Sequence, residues 1–254
     1  MAKQINKIIS GAIIFAVFFF SVFLIYEDEV NSFLNLETNE TAPLAAMATE
    51  KKEDSPPSYI NIAVPFSSQA PFGDWSQPWQ DACEEVSVMM AVAWARGWSA
   101  FAPELVRDEI LNQVAFERRT FDYHRDTNAA DTARILKEFY HYKNVEVRSE
   151  GISVEAIKKE LASGNIVVLP LAGALLKNPY FTTPPPFHMV VVRGYDDKVQ
   201  EFITNEPGTR RGDGFRYGYE NLFRAIHDWT GSEKNILDGK KAMIVVSRPV
   251  PGYR

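Results

Sequence analysis

The sequence predicts an α+β domain, helices packed on an antiparallel sheet, preceded by one membrane-spanning helix. Three observations predict it. One nearly unbroken apolar run lies close to the N-terminus, the helical periodicities come early in the remaining chain, and the β-branched runs come late.

The apolar run covers residues 8–26 and includes Phe18, Phe19 and Phe20. Its length is close to the ~20 residues a helix needs to cross a hydrocarbon core. Lys3 and Lys7 precede it and Glu27, Asp28 and Glu29 follow, so the positive-inside rule places the later residues outside the cytoplasm. A cleaved signal peptide is the rival reading. It calls for a shorter apolar region ending at a small-x-small site, whereas this run ends in Leu24, Ile25 and Tyr26. The retained anchor is therefore preferred. Residues 27–58 are polar and acidic with little apolar periodicity, and read as a flexible tether. Residues 59–254 suit one domain with a sizeable core.

Within that domain, residues 60–64 read as a short strand stopped by Pro65, followed by a loop rich in Pro, Gly and Trp. Residues 82–96 read as a helix that is apolar on most sides, hence buried, with Gly97 as its stop. Further helices are predicted near 103–114, 129–140, 154–163 and 219–229. Strands are predicted at 166–169 (ended by Pro170), 188–193, 199–204 and 242–247.

Charge and cysteine usage exclude several function classes. The formal net charge is −6 and the basic residues are dispersed, so nucleic acid is not an expected partner. A single cysteine excludes an internal disulfide and any zinc site built on two thiolates. Asp122, His124 and Asp126 alternate in one loop, but a solvated polar stretch explains them better than a metal site, and no metal or other cofactor is expected. Trp75, Trp79, Trp94 and Trp98 flank the cysteine and read as core packing or a cleft wall. The charged loop 209–214 reads as a solvated turn or as a border of the substrate cleft.

The lone Cys83 is the residue to explain. Asp81 as N-cap and Glu84 at N3 would form a capping box and place Cys83 at N2, where a helix start favours an anion and hence a thiolate. Glu84 and Glu85 oppose this unless their side chains point away. Of four histidines, His188 alone opens a strand, directly after the stiff 182–187 loop. If strands 188–193 and 199–204 form a hairpin, Asn205 or Glu206 falls beside His188, where an acceptor would fix the imidazole's tautomer. Helix-start Cys, strand-start His and strand-end Asn/Glu form one coherent nucleophile, base and orienting group.

Val64-Pro65-Phe66-Ser67-Ser68-Gln69, Cys83, the strand His188-Met189-Val190-Val191-Val192-Arg193-Gly194-Tyr195-Asp196 and Asn205-Glu206-Pro207 together resemble the C39-like peptidase family. The resemblance covers residues 60–209 and implies a papain-like fold and cysteine peptidase chemistry on a peptide or protein substrate, with no cofactor. It implies Cys83 as nucleophile and His188 as base. The residue before the proline, normally Asp in the family, is Glu206 here, which leaves Asn205 as an equal candidate. The family's oxyanion-hole glutamine corresponds to Gln69, Gln80 or Gln77. The family's Cys-Gly pair is replaced by Cys83-Glu84. The leading expectation is a thiol hydrolase acting on a peptide outside the membrane. A catalytically silent peptide-binding domain and a cell-wall peptide hydrolase or transpeptidase are the alternatives.

Overall fold

The computed structural model describes residues 56–249 of the chain. The anchor expected at 8–26 and most of the expected tether lie outside the described residues. Among the described residues no helix is long and apolar enough to cross a membrane.

Seven strands form one antiparallel sheet: β1 (Tyr59–Asn61), β2 (Val145–Arg148), β3 (Ile166–Ala172), β4 (Phe187–Asp196), β5 (Glu201–Asn205), β6 (Asp213–Gly218) and β7 (Met243–Val246). Their spatial order is β2-β7-β3-β4-β5-β6, and β1 pairs with the far end of β4. The helices are α1 (Cys83–Arg96), α2 (Pro103–Thr120), α3 (Ala129–Arg134), α4 (Val154–Ala162) and α5 (Tyr219–Ala225).

Each helix boundary has a local cause. Gly97 takes a left-handed conformation (φ 79°), and its N–H closes α1 on the carbonyls of Ala93 and Trp94. Pro103 occupies the first turn of α2, where its missing N–H costs nothing. The side chains of Asn128 and Ser153 cap α3 and α4 by accepting from Asp131 N and Ala156 N.

The expected α+β class with helices on an antiparallel sheet is present, and the sheet is covered on both faces. One core joins Val86, Met90 and Val106 of α1 and α2 to Ile166, Val168, Met189 and Val191. The other joins Ile157 and Leu161 of α4, and Leu222 and Ala225 of α5, to Val167, Leu169, Val190 and Val192. This double burial explains why β3 and residues 189–192 of β4 are continuously apolar rather than alternating.

Several element boundaries differ from expectation. Pro170 lies inside β3 instead of ending it. Beyond Val168, β7 no longer pairs with β3, so that stretch carries a ladder on the β4 side and tolerates a residue without an N–H. β2 and β6 were not expected: one is four residues long, the other an edge strand carrying Asp213, Gly214 and Arg216. The helix expected at 129–140 gives way after Arg134 to one π turn, Ile135–Phe139. α5 ends at Ala225, so His227 is not helical; its N–H bonds to Pro170 O and its Nδ1 lies 3.0 Å from Gly239 O.

Candidate active site

The loop residues 64–69 lie beside the end of β5. Asn205 Nδ2 donates to the carbonyls of Val64 and Pro65 (3.1 Å each), and Gln69 N donates to Pro207 O (3.0 Å). Two segments more than a hundred residues apart are thus locked together. Gln69 Nε2 then donates to the carbonyls of Trp79 and Gln80 (3.0 and 2.8 Å), fixing the turn Trp79–Asp81 that delivers the chain to α1.

α1 begins at Cys83 itself. Its N-cap is Ala82, which carries no side-chain cap, so Cys83 occupies the first helical position rather than the second. No capping box forms, because Ala82 in place of Asp81 is the boundary residue and Glu84 is engaged elsewhere. Glu84 Oε1 accepts from Thr127 N (2.9 Å) and Oε2 accepts from Cys83 Sγ (3.0 Å). One turn further on, Ser87 Oγ donates to Met189 O (3.3 Å), which registers α1 against β4 one residue past His188.

His188 is the second residue of β4, paired with Leu171 of β3. Its Nε2 lies 2.5 Å from Glu206 Oε1. Glu206 Oε1 also accepts from Gly208 N (2.7 Å), and Oε2 accepts from Tyr217 Oη (2.7 Å). An acceptor-only carboxylate at Nε2 places the ring proton there and leaves Nδ1 as the basic nitrogen. Phe181 stands edge-on to the imidazole, ring centroids 5.4 Å apart.

Cys83 and His188 line one cleft of about 1180 Å³. Its walls include Gln69, Trp75 and Gln80, the loop from Tyr180 to Phe187, and residues Gly208 to Arg211. The thiol, imidazole and carboxylate are 4%, 2% and 0% exposed respectively, so all three operate largely out of water.

Of the two candidate orienting residues, the structure puts Glu206 on His188. Asn205 points the other way and serves as the clamp on Val64 and Pro65. Strand neighbours face opposite sides, so one of the two had to turn away. Of the three glutamines, Gln69 is buried and Gln80 exposed, both on the cleft, whereas Gln77 bonds Asp81 (2.6 Å) and is not among the residues lining it.

The electrostatics differ from expectation. Burial, and then the Glu84 carboxylate, push the Cys83 thiol well above its ordinary pKa, whereas a helix start alone would lower it. Glu84 in turn is pushed up to about 8, first by burial and then by Asp126. Asp126, itself on the cleft, is raised to about 6 by burial, Asp81 and Glu233. His124 of the same loop bonds Arg118 (3.1 Å).

Sequence reasoning missed two members of this environment. Tyr217 sits on the unexpected strand β6, and Asn178 lies just before the cleft wall; neither carries a local sequence signal. The conspicuous Thr209-Arg210-Arg211 loop does border the cleft.

A sequence profile described as "Peptidase_C39 like family" matches residues 61–235, more than half of the chain. The chain belongs to the C39-like peptidase family. No curated protein matches the sequence. Among solved structures, this C39-like chain is similar to one described as a C39-like peptidase from Bacillus anthracis, with a TM-score of 0.50 and 18% identity, covering 76% of this chain and 99% of that one. That likeness concerns the fold. Xylellain, a cysteine protease from Xylella fastidiosa, aligns with a TM-score of 0.47 and 15% identity over 77% of this chain and 88% of that one.

Proposed function

We propose that this C39-like chain is a cysteine peptidase cleaving a peptide or protein substrate outside the membrane, with Cys83 as nucleophile, His188 as base and Glu206 as the group that orients His188. The observation carrying this reading is the buried 2.5 Å contact between His188 Nε2 and Glu206 Oε1 at the edge of the cleft that Cys83 shares.

In this mechanism the thiol proton passes to His188 Nδ1 as the sulfur attacks the scissile carbonyl. The Glu206 carboxylate stabilises the imidazolium formed. The oxyanion is met by the Cys83 backbone N–H, which has no intrahelical partner at a helix start, and by the side-chain amide of Gln80, or of Gln69 once it releases one of the two carbonyls it now holds. His188 then gives its proton to the departing amine, leaving an acyl-enzyme that water hydrolyses with His188 again as base. The raised thiol pKa favours proton transfer concerted with attack over a preformed thiolate–imidazolium pair.

The Cys83–Glu84 hydrogen bond favours a second reading, a silent peptide-binding domain whose thiol is permanently held as a thiol. Iodoacetamide labelling of Cys83 across pH separates the two. An enzyme should show labelling that is slow at neutral pH, because the resting thiol is protonated, and that falls at least tenfold in His188→Ala at every pH; a silent domain should show no dependence on His188.

The location follows the lysine asymmetry around residues 8–26. A membrane-anchored enzyme should stay in the membrane fraction through alkaline washing and be cut by external protease. Release of a shortened soluble chain would assign the cleaved signal peptide instead.

A further inference from the structure

Glu206 is fully buried, and an ionised carboxylate in that position is expensive unless donors occupy both oxygens. On Oε1 the donors are His188 Nε2 and Gly208 N; on Oε2 the donor is Tyr217 Oη at 2.7 Å. With two donors on one oxygen and one on the other, the carboxylate plane cannot rotate without breaking a bond.

Tyr217 is held in turn. Its hydroxyl oxygen accepts from Asn178 Nδ2 at 2.8 Å, so its proton is aimed at Glu206. Asn178 Oδ1 accepts from Tyr180 N (2.9 Å), which settles the amide's orientation, and the Asn178 carbonyl accepts from Phe181 N (3.2 Å). Tyr180 and Phe181 begin the cleft wall, and the Phe181 ring lies against His188. An unbroken series of hydrogen bonds therefore runs from a substrate-facing loop through Asn178, Tyr217 and Glu206 to the imidazole.

We infer that Tyr217 and Asn178 are positioning residues for His188, tying the Tyr180–Phe181 wall of the cleft to the orientation and basicity of the Glu206 carboxylate. This rests on the proposed roles of His188 and Glu206. A buried tyrosine ordinarily finds some acceptor for its hydroxyl. What distinguishes Tyr217 is that its acceptor is the carboxylate bonded to the imidazole, and that its own donor comes from the cleft wall. Burial, and next the Glu206 charge, push its phenol pKa upward, so it stays a donor across the working pH range.

Tyr217→Phe keeps the ring in its apolar surroundings and removes one oxygen. The carboxylate then loses the donor that fixes its second oxygen, and its hold on the imidazole loosens. Two readings test this in the full-length chain. The first is the His188 tautomer, read from its ¹⁵N shifts by NMR in a Cys83→Ala background and assigned with His188→Gln. The second is kcat and KM on a quenched fluorescent peptide selected from a library by the wild type. Tyr217→Phe should populate the second imidazole tautomer and lower kcat about tenfold with KM within a factor of two. Asn178→Ala should change both in the same direction by less. Leu222→Ala, which removes side chain from the same core without touching the hydrogen bonds, serves as the stability control and should move neither. A Tyr217→Phe protein with wild-type ¹⁵N shifts and kcat overturns the inference, as does a Leu222→Ala protein that reproduces its changes. Glu206→Gln separates the underlying reading: if it too is silent, the role of Glu206 is wrong; if it alone collapses turnover, only the Tyr217 link fails.

Discussion

The thiol of Cys83 donates to Oε2 of its chain neighbour Glu84 at 3.0 Å, while the other Glu84 oxygen is fixed by Thr127 N. The nucleophile of the proposed reaction thus rests against a buried carboxyl group whose pKa is pushed up to about 8, first by burial and then by Asp126. Ionised, that group opposes a thiolate; protonated, it offers a donor to one.

Glu84→Gln makes the neutral, donating form permanent. Its amide can still accept from Thr127 N and can donate to Sγ. The apparent pKa of Cys83, read from the pH profile of iodoacetamide labelling, should fall by about one unit, giving roughly tenfold faster labelling at a pH below both midpoints. An unmoved profile would show that Glu84 does not govern the thiol.

Glu206→Gln keeps the shape of the His188 partner and deletes its charge, so kcat should fall by about a hundredfold with little change in melting temperature. Asn205→Ala should do the reverse. It removes the two bonds that clamp Val64 and Pro65, at a cost of about 2 kcal/mol, or about 4–8 °C in Tm, while turnover per folded molecule stays within twofold. Thermal melts with turnover on the same samples check both.

Gly208 has no room for a side chain. A Cβ there would lie 2.8 Å from Phe181 Cε1, 2.9 Å from Glu206 Oε1 and 3.1 Å from His188 Cε1. Gly208→Ala should therefore displace the imidazole or its carboxylate and lower kcat at least tenfold, with a smaller loss for Gly231→Ala, where a Cβ meets nothing within 4 Å and only the positive φ is strained.

Glu85 of α1 and Glu117 of α2 are both buried, and neither Glu117 oxygen has a hydrogen-bond partner. Burial, then Glu84, push Glu117 up to about 9, and burial, then Glu117, push Glu85 well above the carboxylate range. The folded protein therefore keeps protons that the unfolded chain releases near pH 4.3. The contribution of these two groups to stability should be greatest below that value and decline as pH rises toward 9, by about 1.4 kcal/mol per pH unit for each retained proton. Denaturant melts from pH 5 to 9 should show this slope, and Glu117→Gln should flatten it.

Much of the arrangement was legible before folding. Cys83 and His188 stood out because one was solitary and the other began a strand after a rigid loop, and both are backbone-level signals. The pairing of His188 with Glu206 was legible only as a choice of two, because the side on which β5 presents each residue depends on register. The bulge between Val192 and Gly194 sets that register and left no mark in the sequence. Nothing local to Glu84 tells which way its side chain faces; the Thr127 loop that holds it inward comes from 43 residues downstream. Tyr217 was invisible for a related reason. β6 is an edge strand with charged and glycine positions, and its alternation is too weak to announce a strand.

The solitary state of Cys83 also fixes how this protein meets oxidants. A sulfenic acid formed at Sγ has no second thiol in the 254-residue chain with which to condense. The chain cannot close an internal disulfide on Cys83, so recovery from that first oxidation depends wholly on reductants brought from outside. Against this, a resting sulfur that is 4% exposed and held protonated presents little thiolate to peroxide. The same hydrogen bond that keeps the Cys83 thiol protonated at rest shields it from oxidants.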